Sequence, residues 1–258
     1  MKMLQLNTEG KWNHDEKLVH FLEKNMEIQI LTWQEVSTRT RDRLFNTLGF
    51  HWIWEKTHNH TDGNFYWIWI FSRGGKIRNI QYHNYYGCDS DLPDDGLKTS
   101  WPTKDGDNFY KNSRFWLLSA DFESGQSIVT IGTTHFPVAR PAHAPNIHQT
   151  KSIEDLIAII NWFSDIIISG DFNFSRSSDE SLNPSPCYTR LIEWSGLIDH
   201  LPREVKSTLD PVLFRIPNLH VVCDFIFSRG SVTTVRDLTL HDGLSDHLGL
   251  TADILVQK

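Results

Sequence analysis

The sequence has few cysteines, no long apolar stretch and no excess of basic residues. Its 258 residues include three cysteines, Cys88, Cys187 and Cys223, and none has CxxC spacing, so neither a disulfide framework nor a thiolate zinc site is predicted. No stretch approaches the roughly 20 apolar residues of a membrane span. The first residues also lack the apolar run of a signal peptide. We therefore expect a cytoplasmic protein without a membrane span.

The charge balance is negative, with a formal net charge of −7. Long-range attraction to a phosphate polyanion is weakened by this charge, so tight non-specific DNA binding is not predicted. A bound divalent cation would reverse the sign locally, where a phosphate must lie. Hydrophobic residues make up 39% of the chain, which is enough to bury a substantial core. We expect one domain spanning residues 1–258 and a monomer.

The hydrophobic pattern predicts many strands with helices between them. Strands are expected at Met3–Leu6, Ile28–Trp33, Phe50–Glu55, Phe65–Phe71, Lys76–Tyr82, Arg114–Phe122, Ser127–Thr134, Asp165–Ser169, Val221–Phe227, Ser231–Leu240 and Leu248–Val256. Helices are expected at Asp15–Asn25, from Ser37 or Thr38 to Leu48, at Ile147–Phe163 and at Cys187–Trp194. The segment His83–Ser113 has little periodicity and is expected to be a long excursion, either a substrate lid or disordered. This order favours two packed sheets covered by helices.

The segment GDFN, Gly170 to Asn173, follows a buried strand. Asp171 could orient or activate a water molecule, and the amide of Asn173 could donate to a phosphoryl oxygen. The alternative is an Asx turn that only caps the strand. The segment alone leaves both interpretations open.

The segment SDH, Ser245 to His247, opens the last predicted strand. A carboxylate next to an imidazole can supply one metal ligand and one acid or base, although a single histidine is usually solvated or hydrogen bonded. The whole set of polar residues favours a site, because its members lie at or near predicted strand ends, where function is commonly placed. The set is Asn7, Glu35, His135, Asp171, Asn173, Asp224 and His247.

At this point the chain resembles the deoxyribonuclease I-like endonuclease/exonuclease/phosphatase superfamily. The matching motifs are LQLN, WQEV, TTHF, GDFN, CDFIF and SDH, in the family's order, and they span Leu4 to His247. GDFN and SDH together are specific, whereas WQEV or TTHF alone would be weak. The resemblance implies an α/β (α+β) protein with a four-layer α/β sandwich, in which helices flank two packed mixed sheets. It also implies hydrolysis of a phosphate ester assisted by Mg²⁺, with Mn²⁺ able to substitute.

The resemblance also implies roles for individual residues. Glu35 is expected to be the principal metal ligand, with Asp246 and Asn7 near the same ion or a second one. Asp171 and Asn173 are expected beside the attacking water and the phosphoryl oxygens. His247 would be a catalytic imidazole held by Asp224, a relationship that fixes its tautomer. His135 would face it and bind the phosphate or protonate the leaving group.

Residues outside the motifs are candidates for substrate contacts. Arg39, Arg41 and Arg43 follow Glu35 closely, and Arg73 belongs to a second basic cluster expected near the same end. A solvated helix face is the alternative for such clusters. Trp116 flanks the long excursion and could offer a surface on which a base stacks.

The substrate class stays open in the sequence. The segment LQLNTEGKW matches neither the signature of members specialised for abasic sites nor that of members specialised for tyrosyl-DNA adducts. The arginine often found in the family just before the helix that follows Gln149 is replaced here by His148 or Asn146. We expect a nuclease or DNA-repair-type phosphodiesterase that acts on nucleic acid. The alternative is an enzyme for a small or lipid-derived phosphate ester, such as an inositol phosphate or sphingomyelin. The third hypothesis is an inactive scaffold of the same fold.

Overall fold

In the part of the chain that the structure describes, two mixed β-sheets of six strands each form the centre of the protein. The computed structural model describes residues 1–8, 12–35, 46, 48–59, 65–87, 114–137, 147–176, 184–214, 221–231 and 233–257. The first sheet contains, from edge to edge, β11 (Thr233–His241), β12 (Gly249–Val256), β1 (Lys2–Asn7), β2 (Ile28–Gln34), β4 (Phe65–Ser72) and β3 (His51–Asn59). The second contains β5 (Lys76–Gly87), β6 (Arg114–Ser124), β7 (Ser127–His135), β8 (Ile166–Asp171), β10 (Asp224–Arg229) and β9 (Ile198–Asp199). The described residues also form α1 (Trp12–Lys24), α2 (Ile147–Ile160) and α3 (Pro186–Ser195).

Each sheet has a parallel pair of strands at its centre, joined by a helix. β1 and β2 are parallel with α1 between them, and β7 and β8 are parallel with α2 between them. Parallel neighbours require such a crossover, because a tight turn can only reverse the chain. In a parallel pair both carboxyl ends lie at the same edge of the sheet. The residues that follow β1 and β2 therefore lie together at one edge of the first sheet. Those that follow β7 and β8 lie together at one edge of the second sheet.

Alternation along the strands divides the apolar side chains between layers. On β1, Met3 belongs to the core shared with the second sheet, whereas Leu4 and Leu6 pack with Leu18 and Leu22 of α1. Each of these buried leucines contributes about 2 kcal/mol relative to an exposed side chain. On the other side of the molecule, α2 packs against β5 and α3. The order of layers is therefore helix, sheet, sheet, helices, and the predicted four-layer α/β sandwich is confirmed.

Several elements differ from the prediction. β5 continues to Gly87, five residues past its predicted end at Tyr82, so the first part of the predicted excursion is strand. A register irregularity between Asn84 and Tyr86 interrupts the alternation and buries Tyr85, which hides the strand from a period-of-two pattern. β9 has only two residues and gives no periodicity, and β10 begins at Asp224, later than predicted.

Some sequence predictions fall on other parts of the chain. The predicted helix from Ser37 or Thr38 to Leu48 lies almost wholly outside the described residues, as does the excursion after Gly87. None of the helices in the described residues is long and apolar enough to cross a membrane.

Candidate active site

The carboxyl ends of β1 and β2 place Asn7 beside Glu35. Nδ2 of Asn7 donates a hydrogen bond to Oε1 of Glu35 over 3.4 Å. Glu35 has a φ of 55°, a left-handed conformation that costs a non-glycine residue about 1 kcal/mol or more. Thr8 Oγ1 donates to the backbone oxygen of Glu35, and Trp33 Nε1 donates in turn to Thr8 Oγ1. These two hydrogen bonds stabilise the strained turn that carries Glu35.

The carboxyl ends of β7 and β8 place His135 opposite Asp171. Gly170 precedes Asp171 with a φ of 154°, and a Cβ atom there would overlap the carbonyl oxygen of Thr134. Only glycine permits this close approach of two strands. The N–H of Phe136 donates to the backbone oxygen of Asp171 over 2.9 Å. The glycine of GDFN thus fixes the strand end from which the Asp171 side chain leaves the sheet.

Asp171 uses both of its carboxylate oxygens. Oδ1 accepts from the N–H of Asn173 over 2.8 Å, which is the Asx turn that the sequence left open. Oδ2 accepts from Nδ2 of Asn7 over 3.0 Å, so the same carboxylate also bridges the two sheets. Nδ2 of Asn173 donates to the carbonyl of Phe136 over 2.8 Å. Because an amide nitrogen carries two hydrogens, this bond uses only one of them.

Asp224 and His247 form a buried pair. Nδ1 of His247 lies 2.8 Å from Oδ2 of Asp224. Thr208 stabilises the backbone behind the pair, since its Oγ1 accepts from the N–H groups of both Cys223 and Asp224. The carbonyl of Thr208 also accepts from the N–H of Leu248 over 2.7 Å. One threonine therefore joins the two segments that carry the pair, and no sequence signal marked it.

Side chains from the two sheets meet at one edge of the sandwich. Nε2 of His135 lies 3.5 Å from Oε1 of Glu35 and 3.7 Å from Oδ2 of Asp171. Nε2 of His247 approaches the same Asp171 oxygen at 4.0 Å. Through these distances and the hydrogen bonds above, the structure brings together seven of the residues expected from the sequence. They are Asn7, Glu35, His135, Asp171, Asn173, Asp224 and His247.

Burial and mutual charge shift the pKa values of three of these groups. Burial, followed by the nearby carboxylate of Asp224, raises the pKa of Asp171 to about 6. Burial, followed by the charge of His247, lowers the pKa of His135 to about 4. Burial by itself would lower the pKa of His247, but the Asp224 carboxylate raises it well above its ordinary value. At neutral pH the site therefore contains a largely ionised Asp171, a neutral His135 and a positively charged His247.

Below the edge, a layer of buried polar side chains joins the two sheets. Nε2 of Gln5 donates to Oδ1 of Asp224 over 3.1 Å and to Oε1 of Gln34 over 2.9 Å. Nε2 of Gln34 then donates to Oγ1 of Thr133 over 2.8 Å. Gln5 thus holds the carboxylate oxygen of Asp224 that His247 does not use. Neither glutamine is among the site residues expected from the sequence, although their alternation with apolar residues on β1 and β2 places them on the inner face.

The donors of the site suit a hard divalent cation. Asp171, Asp224 and Asp246 are each at most 3% exposed, and within the described residues no lysine or arginine is ion-paired to any of them. Buried negative charge is costly unless a positive group compensates it, and the single charge of His247 lies 2.8 Å from Asp224 and 4.0 Å from Asp171. Asp246 directly precedes His247 at the same edge, and its Oδ1 accepts from Ser245 Oγ. Carboxylate and amide oxygens of this kind fit Mg²⁺ or Mn²⁺.

Arg73 does not lie at the site. It follows Ser72, which pairs with Ile30 near the amino end of β2, whereas Glu35 follows the carboxyl end of that strand. Its guanidinium donates to the backbone oxygens of Asn25, Met26 and Ile28, over 3.2, 2.8 and 2.9 Å. The expectation that Arg73 lies near Glu35 is therefore wrong. The antiparallel pairing of β4 with β2 carries it to the opposite end of the sheet.

Of the other residues expected to contact the substrate, Trp116 lies within the described residues, and the three arginines that follow Glu35 do not. Trp116 lies on β6 near the site end of β7, and its carbonyl accepts from Oγ1 of Thr134 over 2.9 Å. Trp116 is partly buried and packs against the main hydrophobic core. Arg39, Arg41 and Arg43 lie outside the described residues, so their contacts with a substrate stay predictions.

Comparison with known proteins identifies the architecture. Neither a family model nor a curated protein sequence matches the chain. Solved structures do match over almost its full length. An endonuclease/exonuclease/phosphatase protein from Bacteroides vulgatus has a TM-score of 0.67 at 17% identity, with 99% of this chain and 98% of that one covered. The chain has the endonuclease/exonuclease/phosphatase fold.

Two further structures with the endonuclease/exonuclease/phosphatase fold are similar. The catalytic domain of human Nocturnin with a bound sulfate anion has a TM-score of 0.69 at 16% identity, covering 100% of this chain and 94% of that one. D. rerio TDP2 complexed with a single-strand DNA product has a TM-score of 0.67 at 15% identity, covering 99% of each chain. At these identities the likeness concerns the fold. What the site does depends on its own geometry.

Proposed function

We propose that this protein is a divalent-metal-dependent phosphoesterase that hydrolyses phosphodiester bonds of a nucleic acid. One observation carries the proposal, namely that Asp171 lies within 4.0 Å of two imidazoles, one of which also approaches Glu35, at the joint edge of the two sheets. Hydrolysis of a phosphodiester requires an aligned water molecule, stabilised charge on the phosphoryl oxygens and a proton for the leaving oxygen. Each of these requirements has a suitable group in the site.

Asp171 orients the attacking water molecule and accepts its proton. Its carboxylate is largely ionised at neutral pH, because burial raises the pKa only to about 6. A base with a pKa near the working pH is efficient in such a transfer. Asn7 and the N–H of Asn173 hold this carboxylate through one oxygen each, which fixes its direction. Nδ2 of Asn173 donates its second hydrogen to a phosphoryl oxygen.

The two histidines have different tasks because their pKa values move in opposite directions. His247 is positively charged through its pair with Asp224, so it stabilises the phosphoryl oxygens and protonates the leaving oxygen. His135 is neutral because burial lowers its pKa to about 4, so it binds the phosphate through a single N–H. A neutral and a charged imidazole can lie close together without strong repulsion.

Glu35, with Asp246 and Asn7, would hold Mg²⁺, and Mn²⁺ would substitute. When bound, such a cation neutralises developing charge on the non-bridging phosphate oxygens. Glu35 is suited to this position because its backbone is fixed by Thr8 and its Oε1 lies next to both Asn7 and His135.

For the substrate, we propose a nucleic acid, as in a nuclease or DNA-repair-type phosphodiesterase. The similar fold of D. rerio TDP2, which was solved with a single-strand DNA product, supports this class. A second candidate is a small or lipid-derived phosphate ester, and the net charge of −7 favours it because such a ligand needs no long basic surface.

A substrate panel tests the proposal directly. It contains plasmid, abasic duplex, single-stranded DNA, RNA, inositol phosphates, sphingomyelin and a chromogenic diester, each with Mg²⁺ and with chelator. We expect hydrolysis of at least one nucleic acid that is lost with chelator and restored by Mg²⁺ or Mn²⁺. Hydrolysis of only the small or lipid esters would replace the nucleic-acid proposal with the second candidate. No hydrolysis of any ester at saturating cation would indicate an inactive scaffold.

A further inference from the structure

Cys223 lies directly beneath the catalytic pair and is absent from the proposed mechanism. The residue is 5% exposed, and its Sγ is 3.5 Å from Oδ2 of Asp224 and 3.7 Å from Oγ1 of Thr208. Its carbonyl accepts from the N–H of Phe172, one residue past Asp171. The backbone of Cys223 is therefore fixed on both sides, by Thr208 and by the GDFN segment.

Three different donors converge at this place. A carboxylate oxygen of Asp171, Sγ of Cys223 and a ring nitrogen of His247 all lie within 4.8 Å of one another, and all three residues are buried. Thiolate and imidazole are donors that Zn²⁺ and similar borderline-soft ions prefer, whereas Mg²⁺ prefers oxygen. The oxygen donors near Glu35 therefore favour Mg²⁺. The carboxylate, thiol and imidazole of the second set favour Zn²⁺.

The supporting contacts suit a zinc ligand set. Nδ1 of His247 is bonded to Asp224, and a carboxylate behind the ring is the usual support of a histidine that binds zinc through its other nitrogen. Nε2 of His247 lies 4.0 Å from Asp171 Oδ2. Zinc bonds of about 2.0 to 2.3 Å place tetrahedral donors roughly 3.5 Å apart. The three donor atoms, which lie within 4.8 Å of one another, must therefore approach each other by up to about 1 Å on binding.

We propose that Asp171, Cys223 and His247 form a second metal site that takes Zn²⁺, with Co²⁺ as a spectroscopic substitute. Binding releases two protons to solvent, one from the thiol of Cys223 and one from Nε2 of His247, and three protein ligands leave one position for water or a phosphate oxygen. The inhibitory consequence rests on the proposed function. Zinc in this site occupies Asp171 and His247, so it blocks hydrolysis even when Mg²⁺ is abundant.

Cobalt spectroscopy tests the site without any assay of activity. The metal-free protein is titrated with Co²⁺ under reducing, oxygen-free conditions, and the near-ultraviolet charge-transfer band of a cobalt thiolate is recorded. We expect one equivalent of Co²⁺ to produce the band in the native protein and in Cys187→Ser and Cys88→Ser. Cys187 is a matched control because it is also buried, on α3. The band should be absent in Cys223→Ser.

Two results would overturn the site. One is a native protein without the cobalt thiolate band, and the other is a band that persists in Cys223→Ser. Circular dichroism confirms that each variant is folded, and Cys223→Ala replaces Cys223→Ser if the serine variant unfolds. Bound zinc after dialysis, measured by mass spectrometry, should fall from about one equivalent in the native protein to none in the variant.

Zinc inhibition then separates the site from the proposed function. With saturating Mg²⁺ and an active substrate, zinc should inhibit the native protein, and Cys223→Ala should require at least about tenfold more zinc for the same inhibition. Equal sensitivity of the two proteins would contradict the inhibitory consequence. If no substrate is hydrolysed at all, the proposed function fails, whereas the cobalt band still decides the site.

Discussion

The carboxylate of Asp224 holds the ring of His247 through a buried hydrogen bond of 2.8 Å between Oδ2 and Nδ1. This bond selects the tautomer in which the other ring nitrogen faces Asp171, and it stabilises the charged form of the ring. The two residues come from segments 23 positions apart, and Thr208 joins the backbone of both. The pair is therefore a rigid part of the site, and its loss should affect chemistry more than folding.

Replacing Asp224 with Asn should lower kcat by about 10²- to 10⁴-fold with little change in KM, because the wrong tautomer of His247 is then favoured. Steady-state kinetics on the substrate found in the panel measures both constants. Asp199→Asn is the control, since Asp199 is a largely buried carboxylate that pairs with Arg176 and not with a histidine of the site. A kcat within threefold of the native value in Asp224→Asn would contradict the role given to the pair.

Replacing Glu35 with Gln should weaken Mg²⁺ binding by at least about tenfold, because a carboxylate ligand becomes a neutral amide. Isothermal titration calorimetry measures the affinity, and the Mg²⁺ concentration for half-maximal activity should rise in parallel. Glu193→Gln changes the same charge at an exposed position on α3 and should leave both values unchanged. Unchanged calorimetry in Glu35→Gln would remove this residue from the cation site.

Replacing Gln5 with Leu removes the hydrogen bond to Oδ1 of Asp224. We expect kcat to fall about 10- to 100-fold and the free energy of unfolding to fall by about 1–3 kcal/mol, since a buried carboxylate oxygen loses its donor. The control is Thr32→Val in the same buried layer, where Thr32 bonds to Ser169 without touching Asp224. It should lower stability without a comparable change in kcat. An equal loss of kcat in both variants would show that Gln5 acts only through stability.

Replacing Gly170 with Ala should reduce the free energy of unfolding by about 2–4 kcal/mol, because the new Cβ would overlap the carbonyl of Thr134. Urea unfolding measures the change. Gly196→Ala is the matched control, because Gly196 also has a positive φ, of 66°, but has open space around it. Gly196→Ala should reduce the free energy of unfolding by about 1 kcal/mol. Equal costs at the two positions would refute the steric explanation.

Stability should depend on the protonation of His200. Burial lowers the pKa of His200 below its ordinary value of 6.5 in the folded protein, where its Nε2 bonds to Oγ of Ser228. The unfolded chain therefore binds a proton more readily, so this group's contribution to stability is present above pH 6.5 and is lost as the pH falls toward the folded pKa. His200→Gln should flatten the difference in unfolding free energy between pH 7 and pH 5. An unchanged difference would exclude His200 as a source of it.

Most of the strands could be predicted from the alternation of apolar and polar residues. Most residues that meet at the candidate site could be predicted from their positions at the ends of those strands. Polar residues after apolar strands, such as Glu35 and Asp171, are visible in the sequence. Their partners are not, since the bonds from Gln5 to Asp224 and from Thr32 to Ser169 depend on how two sheets pack face to face. The predicted position of Arg73 was wrong for the same reason. Local periodicity does not reveal whether two neighbouring strands run parallel or antiparallel.

β12 lies between β1 and β11, so β1, the first of the described strands to be synthesised, gains this neighbour only after all the other described strands have been synthesised. Asp246 and His247 reach the edge only when β12 has paired with β1. A chain still emerging from the ribosome thus contains Glu35, His135 and Asp171 but lacks the charged imidazole that completes them. Such long-range closure is slow because distant segments must meet. The proposed hydrolysis therefore requires the pairing of β12 with β1, and a partly folded intermediate that lacks this pairing should be unable to cut a phosphodiester.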